Sequence, residues 1–543
     1  MAKNYRGMIV DVVKGCILRG EIVVEDGKIL AIREDASAPD DQFFTPGLVD
    51  AHVHVESSLL APTEFARASV VHGTVATVSD PHEIANVLGI EGVKWMITDA
   101  RRSPFKIFFG APSCVPATPF ETAGAHFGPL EVAQLLDLPD IHYLSEVMNF
   151  PAVIGGDPAL KSIIEAAKQR AMPIDGHAPG VMGEALALYY QAGITTDHEC
   201  VTLEEAIARA ERGMFVAIRE GSAARNYDAL RPLLFSHPSQ CFFCSDDKHP
   251  DDLVLGHINT LLRRSVAAGV DPITAIKAAT LNPIRHYRLP VGLLQPGDPA
   301  DFVCWNNLSD FEAKAVYIDG EPVAREGLSL LPRLEIETIN RFEQYMVSAE
   351  ELRLPAKEGA SLRVIEARDG QLVTGQSREK PTVREGYVMA DPARDLLKIA
   401  VVNRYQPAPV AIALIRNFGL REGAIASSVA HDSHNVVAVG ANDEDLRTAI
   451  NAVMADRGGL AAVGQGQTLT LPLPVAGLMS DRDAAWVAER FTALNQLAHA
   501  CGSPMRAPFM TLSFMALLVI PQLKLSDLGL FDAEPFALID PWS

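Results

Sequence analysis

His52 and His54 stand two residues apart at the end of the apolar run Pro46-Gly47-Leu48-Val49. On a β-strand that spacing aims both imidazoles at one face, which makes half of a metal site. Two more histidines close apolar runs downstream, His177 in Asp175-Gly176-His177-Ala178 and His198 in Thr195-Thr196-Asp197-His198. Alone, either would read as a hydrogen-bonded strand cap. Four histidines brought together could hold two divalent cations, but such a pair also needs an anionic bridge. Glu146 in Leu144-Ser145-Glu146-Val147 offers one, since no lysine stands at that strand end to be carboxylated instead; its bland alternative is a solvated loop carboxylate. Asp246, after Cys241-Phe242-Phe243-Cys244-Ser245, completes the set. A carboxylate beside a cation can ligate it, take a proton from water and return it to a leaving amine. Asp247 is the weaker candidate for that task. The turn Asp80-Pro81-His82-Glu83 either presents His82 and Glu83 to substrate or is a plain helix start, where the dipole favours Glu83.

These residues share one placement, the C-terminal end of a short apolar segment. The run before His52 is the first of eight. The others are Val75–Val78, Lys106–Phe109, His142–Leu144, Met172–Ile174, Gly193–Thr196, Met214–Ile218 and Cys241–Cys244. Helical patterns separate them, which predicts a (β/α)8 barrel over residues 46–285 with its working side chains at one mouth. A doubly wound open sheet is the competing arrangement. On the N-terminal side, residues 1–45 alternate short strands with turns such as Asp26-Gly27, and residues 286–345 repeat that pattern. The two flanks are expected to form one composite β-sandwich domain into which the barrel is inserted. Residues 346–543 read as a C-terminal α/β domain, with strands at Val388–Met389 and Val436–Val439 and helices near Asp443–Met454 and Asp483–His499.

At 543 residues the chain exceeds one ordinary core, consistent with roughly three domains. With 47 Lys and Arg against 68 Asp and Glu, the net charge is -21. That surface repels phosphate backbones and anionic membranes, so no nucleic-acid or membrane partner is expected. The opening Met1-Ala2-Lys3-Asn4-Tyr5-Arg6 lacks the apolar core of a signal sequence, and no apolar window reaches about 18 residues, which points to the cytoplasm. Seven scattered cysteines, an odd number, fit reduced thiols. His54-Val55-Glu56 and Cys241-Phe242-Phe243-Cys244 imitate the signature of the zinc nucleobase deaminases. The cysteine stretch instead reads as a buried strand, has no proline before Cys241 and lies far from the other half.

With these residues in view, the sequence resembles the amidohydrolase superfamily and, within it, the adenine deaminase family. The superfamily is carried by Asp50-Ala51-His52-Val53-His54. The narrower family is carried by Glu56-Ser57-Ser58, Asp80-Pro81-His82-Glu83, Arg219-Glu220-Gly221-Ser222-Ala223-Ala224-Arg225-Asn226 and Ser245-Asp246-Asp247, and extends to His431-Asp432-Ser433-His434-Asn435. One departure is Ser145, where the pattern has a small apolar residue. The resemblance implies hydrolysis of adenine to hypoxanthine and ammonia in purine salvage, by a homo-oligomer, dimer or larger. It also implies two divalent metal ions per subunit, Mn, Fe or Zn, on His52, His54, Glu146, His177, His198 and Asp246. Asp246, His82 and Glu83 are then expected to be catalytic, and Asp80, Arg219, Ser222 and Arg225 to contact substrate. Arg219 and Glu220 could instead simply pair with each other. His431 and His434 either close over the mouth, hold another ion, or form an ordinary turn. Two rivals remain: a sister hydrolase for guanine, a hydantoin or a dihydropyrimidine, and a non-catalytic metal-holding scaffold.

Overall fold

A computed structural model describes residues 2–543; Met1, the first residue of the opening stretch read above, lies outside the described residues. The N-terminal flank forms strands β1 (Lys3–Asp11), β2 (Cys16–Glu25), β3 (Lys28–Glu34) and β4 (Phe43–Pro46). The barrel strands follow: β5 (Leu48–Val53), β6 (Thr74–Ser79), β7 (Lys106–Ala111), β8 (Ile141–Val147), β9 (Ile174–Gly176), β10 (Thr196–Asp197), β11 (Phe215–Arg219) and β12 (Cys241–Cys244). After the barrel the chain returns as β13 (Phe302–Trp305), β14 (Ala313–Ile318), β15 (Glu321–Arg325) and β16 (Leu328–Ser329). Both flanks join in one sheet, in the order β16-β15-β14-β13-β4-β1-β2-β3. Ile9, Ile22, Val24, Phe44 and Phe302 build its core together with Leu294 and Ala300 from the segment that leads into β13.

Strands β5 to β9 and β10 to β12 pair in parallel as two arcs of the barrel. The arcs meet through Thr195 N–H donating to Ile174 O at 3.0 Å, and through a parallel bridge between Val53 and Asp246. One helix outside the ring illustrates the local chemistry. In Pro158–Gln169, Asp157 accepts the Leu160 amide as N-cap, and Leu160, Ile163, Ile164 and Ala167 recur at helical spacing on the buried face. The first and eighth barrel strands are further pinned by Asp50. Its carboxylate accepts from the Ser245 amide at 2.9 Å, from the Ser245 hydroxyl and from His257 Nε2 at 2.8 Å. Asp50 and His257 are both fully buried beneath the mouth. The Cys241–Cys244 stretch is indeed a buried strand, and its two cysteines, like the other five, are free thiols.

The C-terminal unit centres on a second eight-stranded sheet that runs from Leu362–Glu366 to Gln467–Pro472. Val436 and Ala438 face the helix Asp443–Ala455, while Val437 and Val439 face the core shared with the barrel. That alternation is the two-residue period of a strand covered on both faces. It seats the turn after Ser427 over the barrel mouth. No helix among the described residues is long and apolar enough to cross a membrane.

Where the barrel rests on the flanking sheet, Lys106 Nζ at the start of β7 donates to Asp301 Oδ2 at 2.6 Å. Asp301 is fully buried and also accepts the amides of Gly292 and Asp319. Lys106→Met would leave that carboxylate without its cation, which is expected to destabilise the protein by about 3 kcal/mol. Urea unfolding should show the loss while kcat stays near the parent value, because the joint lies at the opposite end of the barrel from the mouth; an unchanged unfolding midpoint would contradict this.

Candidate metal centre and substrate cavity

The strand ends converge as their spacing requires. The His52 and His198 rings stack with centroids 4.1 Å apart, His54 lies 4.9 Å from His52, and His177 lies 5.3 Å from His198. Glu146 stands between the two sets. Its Oε2 is 2.9 Å from both His177 Nδ1 and His198 Nε2, while its Oε1 is 3.5 Å from His54 Nε2 and from His82 Nδ1. Asp246 Oδ1 is 3.3 Å from His54 Nε2 and 3.7 Å from His52 Nε2. All six residues expected as ligands therefore meet. Ser145 is accommodated in β8 because Gly110 on the neighbouring strand leaves room for its hydroxyl.

His54 Nδ1 lies 3.1 Å from the Asp80 carbonyl, which can only accept. The Nδ1 proton is thereby fixed, and the Nε2 lone pair faces Glu146 and Asp246. Several buried atoms of the cluster make no hydrogen bond: both nitrogens of His52, His177 Nε2, His82 Nδ1 and Asp80 Oδ2. Buried polar atoms are almost always satisfied, so an orphaned set of this size is the signature of a cation site. Groups such as His52, Glu146 and His198, or His52, His54 and Asp246, bring their donor atoms within 4.8 Å of one another. Nitrogen and oxygen donors in this proportion suit a divalent ion. Burial pushes the Asp246 carboxyl up, but the adjacent Arg219 and the imidazoles of His54 and His198 more than offset it and hold the group well below the usual carboxylate range.

The cluster opens into a partly enclosed cavity at the barrel mouth. His82, Glu83, Arg219, Asp246 and Asp247 line it from the barrel, and Leu372, His431, Asp432, Phe514, Leu517 and Val519 line it from the C-terminal unit. Asp80 is not on the wall; its carboxylate accepts the His82 amide at 3.1 Å and lies 3.3 Å from His82 Nδ1. Arg219 does reach the wall, but its guanidinium is engaged by Glu199 and, at 2.5 Å, by Asp246, not by Glu220. Ser222 and Arg225 are not brought to this cavity. Both donate to Asp252, and a substrate contact would have to break those bonds.

Two features escaped sequence reasoning. Glu199 clamps Arg219 and stands 3.6 Å from His177 and His198, and its only signal was its place directly after a strand-end histidine. The apolar wall of Leu372, Phe514, Leu517 and Val519 had no signal, because isolated apolar residues look the same in a core. Behind that wall, Lys524 is fully buried without a carboxylate and donates to the carbonyls of Leu372 and Phe514 at 2.6 and 2.8 Å. Burial lowers its pKa to about 7, and a neutral amine still has enough N–H groups for both carbonyls.

The chain is similar to known proteins over nearly its whole length. The family described as "Amidohydrolase family" matches residues 43–323, and the one described as "Adenine deaminase C-terminal domain" matches residues 371–537. A Salinibacter ruber protein named adenine deaminase is 53% identical over 99% of this chain and 98% of its own. Proteins of the same name from Methanosarcina mazei and Parabacteroides distasonis are 48% and 44% identical, covering 99% and 98% of this chain and 99% and 97% of theirs. The converging strand-end histidines and carboxylates, the shared C-terminal unit and this near full-length likeness place the chain in the amidohydrolase superfamily, as a member of the adenine deaminase family.

Proposed function

We propose that the chain hydrolyses adenine to hypoxanthine and ammonia in purine salvage, with two divalent cations, manganese, iron or zinc, held by His52, His54, Glu146, His177, His198 and Asp246. The observation that carries this reading is Glu146, whose two oxygens face two different imidazole sets. Cations in that position would supply a depressed pKa for an attacking water and polarisation at the reacting carbon.

The chain's own groups account for the protons. Oxygen bonds to C6 of the purine as the C6–N bond to the amino group breaks. Of the water's two protons, one reaches the ring nitrogen beside C6; His82 and Glu83, both on the wall and 3.4 Å apart, are placed to carry it. Asp246 takes the other and delivers it to the amino group, which departs as ammonia. Arg219 keeps Asp246 in its ionised, proton-accepting form through the contact at 2.5 Å. Leu372, Phe514, Leu517 and Val519 give the flat base an apolar wall that also excludes bulk water.

Asp246→Asn is expected to lower kcat by at least about a hundredfold, the range of a lost acid–base group, while most of the metal stays bound. Near-parental turnover of the loaded variant would remove Asp246 as proton carrier. On a panel of adenine, guanine, a hydantoin and a dihydropyrimidine, ammonia or ring-opened product should appear at a useful rate from adenine alone. Guanine turnover without adenine turnover would favour the sister-hydrolase reading, and inertness toward the whole panel would favour the scaffold.

A further inference from the structure

Glu83 is held from outside its own unit. His431 Nδ1 lies 2.5 Å from Glu83 Oε1, and His434 Nε2 contacts Glu83 Oε2. Both histidines belong to the turn after Ser427 in the C-terminal unit, and both are at least 95% buried. The proton on His434 can be placed. Its Nδ1 accepts the Ala430 amide at 3.2 Å, so that nitrogen carries a lone pair and Nε2 carries the hydrogen. A carboxylate only accepts, hence Nε2–H donates to Glu83. The same reasoning rejects His434 as a ligand for an additional ion, because the nitrogen facing the site has no free lone pair while Ala430 occupies the other.

The turn is itself tied down from both units. Asn435 Nδ2 donates to Thr122 O of the barrel at 2.9 Å, and the Tyr405 hydroxyl donates to Ser433 O at 2.6 Å. The His431 ring lies nearly parallel to Phe514, 4.9 Å away, so the aromatic residue of the cavity wall also fixes one of the two donors. His434 sits at φ +55, a left-handed backbone that a non-glycine side chain adopts at a cost, which marks its placement as over-determined by its surroundings.

We propose that the C-terminal unit completes the active site by positioning Glu83: His434 and His431 each occupy one carboxylate oxygen and hold the group in the orientation from which it meets the purine. Each oxygen keeps a second lone pair, on which the water-derived proton can be carried to the ring nitrogen. The inference rests on Glu83 being catalytic, as proposed above. The two histidines are positioning residues and touch Glu83, not the reacting atoms.

The test is a double-mutant cycle on metal-loaded, full-length protein with adenine as substrate, comparing Glu83→Gln, His434→Leu, the two combined, and His434→Gln, which restores an N–H at similar reach. Expected are a loss of about a hundredfold or more in kcat for Glu83→Gln and about tenfold or more for His434→Leu, with KM and metal content near the parent in both. The double variant should be no slower than Glu83→Gln alone, because His434 acts through the group already lost, and His434→Gln should recover most of the rate. Full activity of Glu83→Gln would overturn the catalytic reading of Glu83. A slow Glu83→Gln with a normal His434→Leu, or two losses that multiply, would overturn the positioning role alone. Loss of metal or a raised KM in His434→Leu that His434→Gln does not repair would also overturn it, by showing a merely structural part.

Discussion

Glu146 is a carboxylate fully enclosed among imidazoles, and the barrel mouth is arranged around that fact. Burying a carboxylate is costly unless every lone pair is answered. Here one oxygen faces His177 and His198 and the other faces His54 and His82, contributed by strands β9, β10, β5 and the turn after β6. Moving any of those strand ends by the length of a hydrogen bond would leave the group unanswered. The ring of strands, closed through Val53 and Asp246 and braced below by Asp50 with Ser245 and His257, keeps them in register. Where imidazole nitrogens still lack partners, as on His52 and His177, the remaining demand is for cations.

Above that layer the requirement changes from holding charge to shaping a space. The barrel supplies the polar floor, and the C-terminal unit supplies the apolar wall and two histidines that face Glu83. A flat heteroaromatic base with one exocyclic amine meets both. Lys524 shows how the wall is kept: a buried amine with no counter-ion bonds the carbonyls of Leu372 and Phe514, so two distant segments of the chain present their side chains together.

Much of this was legible in the sequence, for a physical reason. The period-two pair His52 and His54 and the recurrence of His, Glu and Asp at strand ends are consequences of barrel geometry, in which function collects at one end of every strand. Each of the eight apolar segments overlaps a barrel strand, although Met172–Ile174 and Gly193–Thr196 meet theirs at one residue only, and the helices around Asp443–Ala455 and Ala484–Ala500 were correctly placed. What could not be read were partners fixed only by folding. Arg219 next to Glu220 in sequence suggested a local pair, yet the guanidinium turns to Glu199 and Asp246, both buried with it, while Glu220 is served by Arg264 at 2.7 Å. Ser222 and Arg225 were drawn to Asp252, a contact no local pattern announces. The opposition of His431 and His434 to Glu83 spans almost 350 positions and depends on how the two units dock.

The claim on which the rest hangs is that Glu146 joins two cations, and counting metal tests it most directly. Protein stripped of metal, reconstituted with manganese and freed of excess should contain two equivalents per chain by mass spectrometry, and Glu146→Ala treated identically should hold one or fewer. Two equivalents retained by Glu146→Ala, or a parent that saturates at one, would contradict the account.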